Sequence, residues 1–279
     1  MPLTLMYITN NPKIAEIAQT AGVDRIWVDM ESLDKELRQG GMDTVQSSHT
    51  IEDIKRIRPV VTDALLQVRI NHIHENSKEE IEKVIEAGAD VIMLPYFKTR
   101  EEVEKFVKYV DGRAITIALV ETKEACENID DILEVKGIDE IHIGLNDLHL
   151  SYGLTFMFEL LSNGVVEALC KKCRAKGIKY GFGGIARLGE GSIPAEKIIM
   201  EHYRLGSSSA ILSRSFCNAD MVTDIEDFEK VFSESMKLLR EYEKTLLLKT
   251  DVEYAENVQD VKQCVLKVVS EIEEKRHDD

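Results

Sequence analysis

The chain has 279 residues, 44% of them hydrophobic, and a formal net charge of -16, which is enough apolar material for one large domain or two small ones. The acidic balance works against binding nucleic acid phosphates or anionic membrane surfaces, so an anionic substrate would need a metal or a placed arginine to overcome the field. No apolar run approaches membrane-spanning length and the N-terminus lacks a basic region followed by an apolar block, which predicts a soluble, cytoplasmic protein.

Strand and helix signals alternate from the first residue. Leu3 to Ile8 is an apolar run, and Asn11 and Pro12 open a helix that ends at Gly22, with proline in the first turn where its missing donor costs little. Arg25 to Val28 predicts a second strand, followed by Asp29, Met30 and Glu31. Ser32 to His49 has no period and carries Gly40-Gly41, so it predicts a long loop, and Ile51 to Ile57 predicts a helix stopped before Pro59. A third strand runs from Ala64 to Ile70. The helix after it, Ser77 to Ala87, has Ser77 as predicted N-cap and Glu80 in the capping-box position. Ala89 to Leu94 is a fourth strand closed by Pro95, and Thr99 with Glu102 predicts a capping box for a helix reaching about Val110. Ile115 to Val120 and Ile138 to Ile143 are the fifth and sixth strands, joined by an amphipathic helical segment. Val165 to Ala175 is helical, Lys179 to Phe182 a seventh strand, Ala195 to Arg204 a helix, and Ser208 to Leu212 an eighth strand.

Eight strands alternating with helices predict an α/β fold, a closed (β/α)8 or TIM barrel over residues 1–217, with its chemistry at the carboxyl ends of the strands. Residues 218–279 form a charged C-terminal helical extension. Phe228, Val231, Met236, Leu239 and Tyr242 line one helix, and Tyr254, Val258, Val261, Val265, Val268 and Ile272 line another. Either these stripes pack back on the barrel or they cross to a neighbouring subunit; the expectation is the second, and with it a homo-oligomer. The five cysteines are scattered, and Cys170 with Cys173 lacks a second pair, which predicts reduced thiols rather than a zinc site.

At the barrel mouth the order of residues places Asp29 and Glu31 after strand two, Arg69 and Asn71 after strand three, Glu121 after strand five, and Gly144, Asn146 and Asp147 after strand six. Two carboxylates able to hold a cation beside a fixed guanidinium make a site for a small 2-oxo acid. A hard cation would chelate the carboxylate and keto oxygens while the arginine offsets charge appearing on the keto oxygen as an enolate forms. Against this stands the plainer reading of strand-end acids as helix caps and of Arg69 as the partner of a structural ion pair with Asp29 or Glu31. Gly181, Gly183, Gly184 and Gly189, with Arg187, follow strand seven, where barrels bind phosphate, so a phosphorylated or nucleotide-bearing substrate is a weaker second reading. His142 and Trp27 lie within strands and predict core positions.

VETKEACENIDDI followed by IGLNDLHLSYG resembles the paired metal motifs of the metal-dependent pyruvate aldolases of the HpcH/HpaI family, relatives of the citrate lyase β subunit. WVDME and QVRIN resemble the other two family signatures, in the expected order, and the similarity spans roughly Pro2 to Phe216. The resemblance implies a class II aldolase: Glu121 and Asp147 as Mg2+ or Mn2+ ligands, Arg69 at the pyruvate keto oxygen, and the backbone of Gly144 to Asp147 at its carboxylate. It also implies an oligomer that exchanges C-terminal helices. The substrates would be a 2-oxo acid and an aldehyde. Two departures stand out. Ser32 occupies the place of the family's proton-transferring histidine, leaving Glu31, His74 and His149 as candidates for that role, and SRSF ends strand eight where a glycine and an acid are expected. The rival readings are a citrate-lyase-like acyl-CoA lyase or thioesterase, which would need a basic groove, and a non-catalytic 2-oxo-acid-binding barrel.

Overall fold

The computed structural model describes residues 1–33, 49–218 and 223–278; most of the predicted loop from Ser32 to His49 lies outside the described residues. Eight strands form a closed parallel barrel in sequence order, β1 (Thr4–Ile8), β2 (Arg25–Asp29), β3 (Leu65–Arg69), β4 (Val91–Leu94), β5 (Ile115–Val120), β6 (Glu140–Ile143), β7 (Lys179–Ile185) and β8 (Ser209–Leu212), with β8 returning to β1. The strands are buried on both faces and therefore read as unbroken apolar runs. Between them lie α1 (Pro12–Thr20), α2 (Ile51–Ile57), α3 (Ser77–Glu86), α4 (Arg100–Val110), the short α5 (Lys123–Glu127) and α6 (Ile129–Ile132), then α7 (Leu145–Ser151), α8 (Glu159–Ser162), α9 (Val165–Ala175) and α10 (Ala195–Leu205). The extension supplies α11 (Ile225–Leu246) and α12 (Asp251–Asp278).

Two apolar layers hold the barrel. Met6, Trp27, Val91, Met93, Ile117 and Leu119 fill its interior, while a larger cluster fills the space between strands and helices. At the amino-terminal end of the interior, Arg25 meets Glu140 fork to fork, Nη1 to Oε2 at 2.8 Å and Nη2 to Oε1 at 2.7 Å. Strand register sets the other end: Asp29 stands beside Arg69 and Val120 beside Ile143. The residues that follow those last two, Glu121 and Gly144, therefore leave the sheet next to one another.

Local chemistry explains most element boundaries. Thr99 and Glu102 form the expected capping box, and Asn11 caps α1 through Lys13 and Ile14. The expected box at Ser77 is absent, because Ser77 is already the first helical residue. Its Oγ accepts the His74 N–H, and Glu80 turns instead to the Asn71 N–H, the Asn71 amide and the His74 ring. Cys170 and Cys173 are buried free thiols on α9, both pushed up to about 12 by burial.

Within this single chain the apolar faces of α11 and α12 are covered by the chain's own barrel. Phe228, Phe232, Met236, Leu239, Val261 and Val265 are buried, with α11 against α1 and α10, and α12 against α10 and α8. Glu243 of α11 accepts the Leu3 N–H at 2.8 Å, and Asn257 of α12 donates to the Lys197 carbonyl at 3.0 Å.

Candidate active site

A cavity of about 690 Å³ opens at the carboxyl ends of the strands and takes in Trp27, Arg69, Glu121, Gly144, Asn146 and Asp147. Arg69 is held from behind. Its Nε and Nη2 donate to the two oxygens of Asp29, each at 2.8 Å, Nη1 lies 3.2 Å from Glu31 Oε2, and the guanidinium sits 5.2 Å from the centre of the Trp27 ring. Burial by itself would pull the Arg69 pKa down, yet Asp29 and Glu31, with a further contribution from Glu121, hold it well above its ordinary value. Two of the five N–H groups of the guanidinium are hydrogen-bonded to Asp29 and Nη1 is turned toward Glu31 as an ion pair, which leaves N–H groups for a ligand in the cavity. Arg69 is thus the ion-pair partner that the plainer reading required, and also a wall of the cavity.

Glu121 is 2% exposed, and its Oε1 accepts the Tyr96 N–H at 2.9 Å. Tyr96 adopts a positive φ of 49°, rare for a bulky residue, so local backbone strain is spent on aiming that N–H. Glu121 does not cap the helix that follows it; Thr122 does so by accepting the Ala125 N–H at 3.1 Å. Across from it, a Cβ on Gly144 would lie 3.0 Å from Glu121 Oε2 and 3.2 Å from Leu119 Cδ1, tight enough that the carboxylate would have to shift. The glycine keeps open the space that the second carboxylate oxygen faces. Three residues on, Asp147 occupies the first turn of α7 and is 9% exposed.

This donor set fits a hard divalent ion. Among the described residues Asp29, Glu31, Glu121 and Asp147 are all buried, beside one half-buried guanidinium, that of Arg69, since Arg214 at the β8 rim is exposed. Buried carboxylates in such excess call for a cation. Among the described residues no group of three or more His, Cys, Asp or Glu forms a complete protein cage. Two carboxylates with the remaining positions left to water and substrate is the arrangement magnesium usually takes at enzyme sites.

The remaining candidates fall elsewhere. Glu31 is 1% exposed and lies behind Arg69 rather than on the cavity wall. The His74 ring donates from Nε2 to Glu80 at 3.0 Å and accepts the Asn76 N–H at Nδ1, and His149 is buried with Nδ1 donating to the Leu145 carbonyl at 3.2 Å; neither lines the cavity. Asn71 accepts the N–H groups of Ser32 and Leu33 at 2.9 Å each and so fixes the chain leaving β2. Arg187 pairs with Glu190 outside the cavity, whereas Ser213, Arg214 and Ser215 of the unexpected SRSF line it. Several lining residues were not singled out from the sequence, His49 among them. His49, at the end of the patternless loop, accepts the Asp29 N–H at Nδ1 over 3.0 Å. Only the adjacent Thr50–Asp53 capping box hinted that this residue would be held in place.

The profile of the HpcH/HpaI aldolase/citrate lyase family matches residues 3–182. The 2-keto-3-deoxy-L-rhamnonate aldolase of Escherichia coli K12 is 25% identical over 210 residues, covering 62% of this chain and 71% of the relative. Among solved structures, an HpcH/HpaI aldolase from Desulfitobacterium hafniense DCB-2 superimposes with a TM-score of 0.60 at 17% identity, covering 86% of this chain and 93% of the other. The citrate synthase SbnG does so with a TM-score of 0.58 at 20% identity, covering 87% and 95%. At those identities the structures speak for the fold. The family match, over more than half the chain, speaks for membership: this chain belongs to the HpcH/HpaI aldolase/citrate lyase family and is an enzyme of the aldolase type.

Proposed function

We propose that this family member is a divalent-metal-dependent lyase that makes or breaks a carbon–carbon bond through a pyruvate enolate, with a 2-oxo acid and an aldehyde as its substrates. The observation that carries the reading is the placing of Arg69, Glu121 and Asp147 on one cavity, with more buried carboxylate than guanidinium around them. Mg2+ or Mn2+ held by Glu121 and Asp147 would supply Lewis-acid polarisation of the keto oxygen.

The chain's own residues do the rest. Arg69 offsets negative charge on the keto oxygen as the methyl carbon loses its proton, through the N–H groups not given to Asp29. Asp29 and Glu31 fix the guanidinium plane, so little side-chain entropy is lost when the ketoacid arrives. The Gly144 N–H goes to the Val120 carbonyl at 2.9 Å, so within the stretch from Gly144 to Asp147 it is the N–H groups of Leu145, Asn146 and Asp147 that suit the substrate carboxylate, because first-turn N–H groups have no partner within their own helix. No helix among the described residues is long and apolar enough to cross a membrane, in keeping with work in the cytoplasm. Exposed Leu247, Leu248, Val252 and Leu266 on α12 and the turn before it offer contacts for a homo-oligomer with exchanged C-terminal helices.

The test is a retro-aldol assay on 4-hydroxy-2-oxo acids with Mn2+ added and then chelated. Metal-dependent release of pyruvate, lost in Glu121→Gln, is the expected outcome. Pyruvate or oxalate binding with no turnover and no exchange of the pyruvate methyl hydrogens would instead mark a silent ketoacid-binding barrel.

A further inference from the structure

An aldol reaction needs room for two substrates, and the cavity has it. Its volume is about 690 Å³, whereas pyruvate takes at most about 180 Å³ even when each of its six non-hydrogen atoms is given the space of a water. Arg69 and the two carboxylates of the lining, Glu121 and Asp147, come from the ends of β3 and β5 and from α7. Among the described residues the half built from β7, β8 and β1 adds no carboxylate, and its floor is apolar. Ile8 ends β1 beside Trp27, and Ile211 lies on β8 beside Gly184, which has no side chain to cover it. Both isoleucines pack on the apolar cluster of the barrel interior, and both line the cavity while only half-buried. The surface they leave uncovered is therefore cavity surface.

Resting on the reading above, we propose that the acceptor is an aldehyde with an apolar chain laid on Ile8 and Ile211, rather than a polyhydroxylated one. Covering the two isoleucines with a hydrocarbon chain removes both apolar surfaces from water at once. A hydroxyl set on the same floor would give up its water hydrogen bonds and gain none. The polar side chains nearest the floor are occupied by their own loop. Thr9 Oγ1 accepts the Asn11 N–H at 3.1 Å, the Asn10 amide donates to Asp53 at 3.3 Å, and Asn11 Oδ1 caps α1 by accepting the Lys13 N–H at 2.9 Å. Ser213, Arg214 and Ser215 follow the last residue of β8, and the latter two are exposed, so they edge the opening instead of paving the floor. Half-buried Met157, on the segment after α7, adds apolar wall. The floor also begins in the right place: Ile8 stands one strand from Trp27, whose ring centre is 5.2 Å from the Arg69 guanidinium, so a chain lying there starts next to the ketoacid.

Two measurements on the full-length protein test this. With Mn2+ and pyruvate, kcat/KM for bond formation should rise along acetaldehyde, propanal and butanal by about fourfold per added methylene, and hexanal should outrun glyceraldehyde. Ile8→Thr and Ile211→Thr, which keep the branched shape but place a hydroxyl in the floor, should each lower the preference for hexanal over glyceraldehyde about tenfold. Without metal or pyruvate, 1-hexanol added to wild-type protein carbon-13-labelled at its isoleucine methyl groups should shift the Ile8 and Ile211 signals, which are identified by their absence from the two variants. The inference is overturned by a flat aldehyde series, by a preference for glyceraldehyde, by variants that discriminate like the wild type, or by hexanol that leaves both signals in place. Loss of deuterium exchange into the pyruvate methyl group in the variants would assign the floor to the ketoacid and overturn it too. Absence of that exchange in the wild type would instead defeat the pyruvate-enolate reading while leaving the hexanol result standing.

Discussion

The barrel encloses two arginines, one near each end, and they keep different company. At the amino-terminal end Arg25 and Glu140 pair bidentately with side chains 7% and 9% exposed, one charge against one. At the mouth Arg69 pairs with both Asp29 and Glu31 while Glu121 and Asp147 add two further buried carboxylates. The first end is balanced and needs nothing from outside. The second gathers four buried carboxylates beside one guanidinium among the described residues, a set that suits a cation. The same residue types therefore make a structural lock at one end of the strands and a site at the other; what differs is the ratio of charges and the cavity beside them.

Breaking the lock should give the largest effect. Arg25→Met or Glu140→Leu alone leaves an unpaired buried charge and should cost about 3–5 kcal/mol in urea unfolding, whereas the double substitution should come close to wild-type stability. If the double variant were as damaged as the singles, the pair would be more than a mutual neutralisation. At the mouth the sign reverses: Glu121→Gln removes one charge from an over-acidic cluster, so the metal-free protein should unfold no more easily than the wild type. Its retro-aldol kcat should nonetheless fall about 10³-fold, the equivalent of several kcal/mol of lost Lewis-acid stabilisation.

Between the ends, His142 on β6 sharpens the contrast. It lies two residues along from Glu140 and so on the same strand face; burial, with a further push from Arg25, takes its pKa down from 6.5 to about 4. A histidine depressed in the folded state binds its proton more readily once unfolded, so its contribution is complete above 6.5 and drains away as pH falls toward 4. That window is worth on the order of 3 kcal/mol. Unfolding midpoints measured across it should fall steeply for the wild type and less steeply for His142→Asn. The smallest effect is that of the metal: Mn2+ at about a hundred times its dissociation constant should stabilise the wild type by about 2.7 kcal/mol and leave Glu121→Gln unmoved, read as a shift in thermal midpoint.

Much of this could be read from the sequence, for reasons that differ by residue. The strands announce themselves because burial on both faces demands uninterrupted apolar runs, and the polar residue that ends each run marks the mouth, as with Glu121 after Val120. Thr99 and Glu102 met the spacing rule and the chain obeyed it, while Ser77 and Glu80 met it and did not, because Asn71 and His74 offered Glu80 better partners. The short α7 carrying Asp147 left too little periodicity to be seen. The Arg25–Glu140 pair spans 115 positions and has no local signature. His49 was equally hidden, since its tie to the Asp29 backbone depends on where an irregular loop returns to the barrel. The stripes of α11 and α12 were legible as helices, but nothing in their spacing says which surface covers them.

The central claim is that Glu121 and Asp147 hold one divalent ion within reach of Arg69. Anomalous difference density from crystals soaked with Mn2+ and oxalate tests it most directly. The account predicts a single manganese peak contacted by both carboxylates, with an oxalate oxygen on an N–H of Arg69. A peak that leaves either carboxylate untouched, or oxalate bound away from Arg69, would contradict it.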